Sequence, residues 1–340
     1  HDSLNSRFYW DANENVLLYT TASDIISAAA DSNSYSVTKQ TNDFGYPIVK
    51  ATSDSALIAL DYVKQYSNIT FKSYDDPARI VITSKWDEID SATVSKSTQV
   101  RVKGGIKSPI LKEVKKDDKI TILDSGDKWD KVATEDGVIG YIKRKALSES
   151  KKTKLTNPDY EEETFTHIKK DKDICLAWNQ VTSQSANSKV PQIISSTKGI
   201  NVMSPTWFYL NDNNGNLADI ASKDYVSYCH SQGIEVWGLF SNFENTDVDA
   251  AYVLTHTSTR TTLINQIMSA AFNYELDGVN IDFENITEAA YGDSYIEFIR
   301  ELAIKCHNNG ISLSVDVTVP ASFNKFFNRS DMANFADYIV

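Results

Sequence analysis

The sequence predicts a multidomain chain: a small α+β module, a small all-β barrel, and an α/β domain on a parallel sheet. Three observations predict it. The chain has 340 residues, and at about 100–200 residues per domain that is two or three domains. The hydrophobic pattern changes near residues 92 and 172. Mixed short runs give way to closely spaced strand runs divided by glycine turns, and then to a regular alternation of apolar strands and amphipathic helices. Charge changes at the same places: the net formal charge is −6 over residues 1–92, +5 over 93–172 and −11 over 173–340. The expected boundaries are therefore 1–92, 93–150, a linker over 151–172, and 173–340.

Within residues 1–92, runs at 16–19, 46–49, 69–71 and 79–82 read as strands. Residues 23–31 and 54–66 carry apolar residues at helical spacing, and Asp54 is placed to cap the second of these helices. The stretch resembles the N-terminal stalk-type module of copper amine oxidases, which recurs in bacterial wall enzymes. The resemblance implies no copper here, because the stretch holds no cysteine and no histidine after His1.

In residues 93–150, strand-like runs recur at 99–102, 119–123, 128–132 and 140–142. Gly104-Gly105, Ser125-Gly126-Asp127 and Asp136-Gly137 divide them, and an Asp-Gly step between strand runs is a hairpin signal. So many short strands in so short a stretch predict a small barrel. The run from Trp129-Asp130-Lys131-Val132 through Asp136-Gly137 to Gly140-Tyr141-Ile142 resembles the bacterial Src-homology-3-like domain. That resemblance implies attachment to the bacterial cell wall; a plain spacer is the alternative. Residues 151–172 read as a linker, with a basic start, an Asn157-Pro158 break and the charge run Glu161-Glu162-Glu163.

After residue 172, apolar strands are expected at 174–178, 200–209, 234–240, 278–283 and 311–319, with a sixth starting at Tyr338. Helices are expected at 184–197, 219–232, 258–275, 289–308 and 326–335. Strands apolar throughout, alternating with helices, mean a parallel sheet covered on both faces. A doubly wound sheet and a closed barrel both satisfy the pattern. No Gly-x-Gly-x-x-Gly turn follows the first strand, which weakens a dinucleotide-binding reading.

The chemistry sits in Asp277-Gly278-Val279-Asn280-Ile281-Asp282-Phe283-Glu284. On a strand, Asn280, Asp282 and Glu284 share one face, and Val279, Ile281 and Phe283 share the other. Two neighbouring carboxylates on an inward face are costly unless paired or functional. Their mutual repulsion raises one pKa, so that one group can be a protonated acid while its neighbour is ionised. Glu284 also falls at the C-terminal end of the fourth strand, where α/β barrels gather their active sites.

This string resembles the signature of glycoside hydrolase family 18, Asp-Gly-x-Asp-x-Asp-x-Glu. It matches at Asp277, Gly278, Asp282 and Glu284 and departs at Asn280, where the middle Asp is replaced. The resemblance covers residues 173–340 and implies a TIM-type (β/α)8 barrel. It also implies substrate-assisted retaining catalysis, a mechanism outside the two-carboxylate rule. Glu284 would protonate the glycosidic oxygen, and Asp282 would orient and stabilise the 2-acetamido group that attacks the anomeric carbon. Asp277 and Asn280 would support them, and the Asn280 amide is expected to donate a hydrogen bond to Asp282. Asn at this position is similar to spore-cortex-lytic and related peptidoglycan-active members.

Other strand ends supply candidate sugar-binding groups: Trp178 and Trp207 for stacking, Asn242 and Asp316 for hydroxyls. Mid-strand Trp237 reads as core. His230, His256 and His307 have no ligand spacing, so no metal or cofactor is expected. Cys175, Cys229 and Cys306 are too few and too scattered for a disulfide framework and read as buried fillers.

The function that follows is cleavage of β-1,4 bonds next to N-acetylglucosamine in peptidoglycan. Chitin is the alternative substrate, and a non-catalytic glycan-binding wall protein the alternative class. Acidity after residue 172 disfavours nucleic acid, and the chain has no run of about 18 apolar residues to span a membrane. An extracellular or wall-associated bacterial protein is expected. His1 stands where Met would, so an export or anchor segment could precede it. A whole barrel takes about 250 residues. Residues 173–340 supply five strands and the start of a sixth, so the chain is expected to continue beyond Val340 or to take the missing strands from elsewhere.

Overall fold

The computed structural model describes residues 4–52, 55–284, 286, 289–324 and 328–340. The chain forms two compact units, His1–Asn5 with Leu60–Glu162, and Ser6–Ala59 with Glu163–Val340. The stretch 1–92, read from sequence as one module, is thus divided between them.

The larger unit begins with five strands: β1 (Phe8–Asp11), β2 (Val16–Thr20), β3 (Ile25–Ala29), β4 (Ser34–Val37) and β5 (Gln40–Asp43). They form an antiparallel meander in sequence order. The helix expected over 23–31 is β3. Ile25 and Ile26 are β-branched, and the ladder from Leu17–Ala28 to Tyr19–Ile26 gives them period-two burial that overrides the helical spacing. A two-stranded pair follows, β6 (Val49–Ala51) and β7 (Ala56–Ile58). Asp54, the expected helix cap, lies outside the described residues.

The smaller unit carries α1 (Leu60–Gln65) and a hairpin of β8 (Thr70–Asp75) and β9 (Ala78–Thr83). Its main sheet joins β10 (Glu88–Thr93), β11 (Thr98–Arg101), β12 (Ile110–Val114), β13 (Lys119–Asp124), β14 (Trp129–Thr134), β15 (Ile139–Lys143) and β16 (Lys151–Lys154), in the order β12-β11-β15-β14-β13-β10-β16. Its core is Val94, Val100, Val114, Ile120, Val132 and Ile142. The Asp136-Gly137 hairpin joins β14 to β15 as expected, with Gly137 at φ +81°. The sheet is wider than 93–150: β10 begins before that stretch, and β16, the basic start of the expected linker, pairs with β10.

The rest of the larger unit holds β17 (Leu176–Asn179), α2 (Val190–Ser195), β18 (Val202–Leu210), β19 (Leu217–Asp219), α3 (Lys223–Ser231), β20 (Glu235–Ser241), α4 (Ala250–Thr255), α5 (Thr257–Tyr274), β21 (Gly278–Asp282), α6 (Ala289–His307), β22 (Ser312–Val315), α7 (Arg329–Phe335) and β23 (Tyr338–Ile339). Strands β17, β18, β20, β21, β22 and β23 are parallel neighbours in sequence order, and β19 pairs antiparallel with β18. Sequential parallel order with β17 and β23 at the two edges is a partial barrel, not a doubly wound sheet. The expected helix start at 326–327 lies outside the described residues. No helix among the described residues is long and apolar enough to cross a membrane.

Two devices hold this part in shape. The residue before every second strand accepts an N–H within one residue of the first residue of the preceding strand. Asn201 Oδ1 takes Cys175 N at 2.8 Å, Asp277 Oδ2 takes Val236 N at 2.8 Å, and Asp337 Oδ2 takes Leu313 N at 2.8 Å. Asp277 and Asp337 also bind His230 and His307, at 2.8 and 3.1 Å. The second device ties the N-terminal meander to α5. Asp11 Oδ2 accepts from Thr257 N at 2.7 Å, and Glu14 Oε2 accepts from Ser258 N at 2.9 Å. The His256 N-cap side chain makes no capping bond of its own, so remote carboxylates supply the acceptors that a helix N-terminus needs. Asp11→Ala is expected to cost about 1–2 kcal/mol in urea unfolding; a loss below about 0.3 kcal/mol would dismiss the remote cap.

Candidate active site

Gly278 opens β21 beneath the site. A Cβ there would lie 2.6 Å from Cδ1 and 2.7 Å from Cγ of Trp237, so only glycine lets the two strands meet around that indole. From Gly278 the strand alternates as expected. Val279, Ile281 and Phe283 enter the helix-side core, and Asn280 is buried on the inner face.

Asn280 is the hub of that face. Its Oδ1 accepts from Trp178 Nε1 and from Ser204 Oγ, both at 3.0 Å. Its Nδ2 donates to Asp316 Oδ1 at 3.0 Å and to Ser314 Oγ at 3.4 Å. Both amide donors are thus used on β22 and the residue beyond it, and the expected bond from Asn280 to Asp282 is not made. The reason is geometric: residues 280 and 282 stack along one strand, while Ser314 pairs directly across from Asn280.

One step further up, Ser241 pairs with Asp282 across β20 and β21. Asp316 follows the Ile281–Val315 pair and donates its N–H to the Ile281 carbonyl at 2.9 Å. Ser241, Asp282 and Asp316 thus form a row at the C-terminal ends of three strands. Ser241 Oγ also lies 2.7 and 2.6 Å from the two carboxylate oxygens of Glu244. Glu284 follows Asp282 by two residues and is exposed. Asn242 holds its main chain from both sides: Nδ2 donates to the Glu284 carbonyl at 2.9 Å, and Oδ1 accepts its N–H at 2.8 Å.

The electrostatics follow from this crowding. Burial, then Glu284 and Glu244, raise the Asp282 carboxyl above its ordinary range. Burial pushes Asp316 up to about 6; Asn280 opposes the push and Asp282 adds to it. Burial raises the Tyr295 hydroxyl behind the row, and Asp316 and Asp282 raise it further. The crowding therefore favours the protonated form of both aspartates relative to free carboxyls, the direction that acid–base chemistry needs.

Of the eight residues singled out from sequence, six meet here: Glu284, Asp282, Asn280, Asp316, Asn242 and Trp178. Trp178 is 53% exposed at the end of β17, with its face available. Asn242 acts on the backbone of Glu284 instead of facing solvent as a hydroxyl-binding group. Two residues do not belong. Trp207 is 0% exposed; its Nε1 donates to Asn187 Oδ1 at 2.8 Å and its ring meets Tyr225 edge-on at 4.9 Å, so it packs under the helices and cannot stack on a sugar. Asp277 stands at the opposite end of β21, about 20 Å of strand from Glu284, and serves the strand-start device. Of the cysteines, Cys229 and Cys306 are buried as expected, but Cys175 is exposed.

Sequence reasoning missed Ser204, Ser241, Ser314, Glu244 and Tyr295. The serines carry a signal in retrospect, since each sits on an inward position of an otherwise apolar strand. Glu244 follows the C-terminal end of β20 as Glu284 follows β21. Among the described residues, no group of three or more His, Cys, Asp or Glu side chains is arranged to hold a metal ion.

Asn242→Asp keeps the acceptor but replaces the donor with an oxygen facing the Glu284 carbonyl. It is expected to loosen the main chain at residue 284, speeding amide exchange there by about tenfold or more; native-state hydrogen exchange checks this, and unchanged protection would dismiss the clamp.

No family model matches the chain, and no curated protein does. Solved structures similar to it include a chitinase from Chromobacterium violaceum, at 18% identity over 49% of this chain and 54% of that one, TM-score 0.41. The spore cortex-lytic enzyme SleL from Bacillus megaterium is similar at 17% identity over 48% of this chain and 40% of that one, TM-score 0.41. A Group IV chitinase from Ostrinia furnacalis, solved with allosamidin, is similar at 14% identity over 41% of this chain and 42% of that one, TM-score 0.37. This chain spans about half the length of these structures or less.

Proposed function

We propose that the chain is a retaining glycosidase that cleaves β-1,4 bonds next to N-acetylglucosamine in bacterial peptidoglycan, with Glu284 as acid and base. Asp282 orients the substrate's 2-acetamido group, whose oxygen attacks the anomeric carbon, and carries the charge opposite the cyclic cation that results. The exposed indole of Trp178 offers a stacking surface for a pyranose ring. In this reading the wall is reached through residues 93–150, and the protein works outside the cell or at its envelope.

One observation carries the reading. An inward carboxylate, Asp282, sits two residues before an exposed carboxylate, Glu284, at the C-terminal end of a parallel strand, and a dedicated amide, Asn242, holds the backbone of the second. A structural polar ladder has no use for the clamp or for the exposed acid. The peptidoglycan assignment is supported by the Asn280 substitution and by the accompanying small β-sheet unit.

The test is release of new reducing ends by the purified chain from peptidoglycan and from chitin oligomers. Release from peptidoglycan is the expected result. Release from chitin alone would move the substrate to chitin. Release from neither, with binding to either polymer retained, would leave a glycan-binding protein and sink the enzyme.

A further inference from the structure

We propose that Asp316 is a positioning residue of this site: it shares one proton with Asp282 and takes that proton whenever Asp282 must carry negative charge beside the substrate. The inference rests on the glycosidase reading and deepens it.

Strand register brings the two carboxyl groups together. Asp282 and Asp316 stand at neighbouring positions on adjacent parallel strands, one step beyond the Ile281–Val315 pair. Neighbouring strands lie about 4.8 Å apart, and both side chains are two residues beyond members of the inward pair Asn280–Ser314, so they point the same way. Two carboxyl groups held side by side and partly buried retain one proton between them.

Below the pair sits Asn280, which cannot hold a proton. Its Nδ2 fixes Oδ1 of Asp316, while its Oδ1 is occupied by Trp178 and Ser204. A proton leaving Asp282 therefore has no titratable group beneath it on its own strand. The titratable neighbour on the same face is Asp316. Among the described residues, the other titratable groups that interact with the pair are Glu284 beyond β21, Glu244 beyond β20 and Tyr295 of α6. Tyr338 of β23 turns instead to Trp237, with the ring centroids 5.1 Å apart. Among the described residues, the charges acting on Asp282 and Asp316 are all negative, so repulsion favours holding the proton. In the transfer, the O–H bond on Asp282 breaks as an O–H bond forms on Asp316; one proton moves and nothing else is consumed.

The experiment is a carboxyl titration by NMR of the full chain with 13C-labelled aspartate, in wild type, Asp282→Asn and Asp316→Asn. In wild type the two resonances are expected to titrate together in two steps. Removing either carboxyl should move the other's midpoint down by about one pH unit, the size expected for loss of a close like charge. Both substitutions keep side-chain shape, and because coupling is reciprocal, either variant alone decides the matter if the other does not fold. The kinetic arm follows kcat against pH on peptidoglycan. Asp316→Asn should move the acid limb down by about one unit and lower kcat by about tenfold, with KM within about twofold. A merely structural Asp316 would not move the limb. Independent titrations, unchanged by either substitution, overturn the shared proton whatever the activity. Reciprocal shifts in a chain that cleaves neither polymer would overturn the glycosidase reading and the catalytic use of the proton, while leaving the pair itself established.

Discussion

Glu284→Gln is expected to reduce release of reducing ends from peptidoglycan by about a thousandfold or more while leaving polymer binding within about threefold. The substitution keeps the shape and the hydrogen-bonding capacity of the side chain and removes only its ability to give and take a proton. The Asn242 clamp grips the main chain of residue 284, not its side chain, so the variant should hold its place. Loss of activity then reports on chemistry, not on misplacement. Asp282, already raised by Glu284's charge, should titrate lower once that charge is gone. Two readouts check the result: reducing ends for the rate, and sedimentation with insoluble peptidoglycan for binding. Activity within tenfold of wild type would mean that another group protonates the leaving oxygen. Glu244 is then the first place to look, since it stands beyond the neighbouring strand.

The central strand was legible because its pattern is stiff. A period-two strand whose odd positions are Val279, Ile281 and Phe283 has only one way to face helices, and Asn280 and Asp282 follow inward by necessity. What each inward group touches was not legible. The bond expected from Asn280 to Asp282 runs along the strand, but hydrogen-bond reach favours the residue across, and Ser314 was not recognised as that residue. Trp207 failed for a related reason. The run Thr206-Trp207-Phe208 contains a register shift between β18 and β20, so simple alternation could not assign its face.

The N-terminal stretch was misread at a larger scale. Its local signals, an Ala-rich run over 23–31 and short strands without a strong core, suit a free module. The partners of those strands lie hundreds of residues later, in Thr257, Ser294 and Glu297. No local pattern encodes such a pairing. The one trace in the sequence is an excess of charge on helix α6: Glu297, Arg300 and Glu301 stand where an amphipathic helix covering a barrel would carry apolar groups on both buried sides.

Those charges lead to the largest stability effect expected. Arg260 is 0% exposed and donates from Nε to Glu301 Oε1 at 2.8 Å and from Nη1 to the Leu254 carbonyl at 2.7 Å. Its guanidinium lies 5.0 Å from the Tyr9 ring centroid. Beside it, Glu297 accepts from Arg300 Nη1 and from Thr20 Oγ1, both at 2.8 Å, and Arg300 also bonds Asp331. One buried chain of charge thus joins β1, β2, α5, α6 and α7. Burial pushes Glu301 up to about 7 against the pull of Arg260, so the cation is what keeps that carboxylate tolerable. Arg260→Met is expected to destabilise the folded chain by about 3–5 kcal/mol at pH 7.5, because it strands buried carboxylate charge. The sign with pH is fixed. Without Arg260, Glu301 rises further above its unfolded value, the folded state binds the extra proton, and the variant regains stability as pH falls. The deficit should therefore shrink at pH 5.5, and adding Glu301→Leu should recover part of it at pH 7.5. Urea unfolding at both pH values measures all three. A deficit of equal size at both pH values would mean that lost packing around Tyr9, not stranded charge, holds the N-terminal strands to the partial barrel.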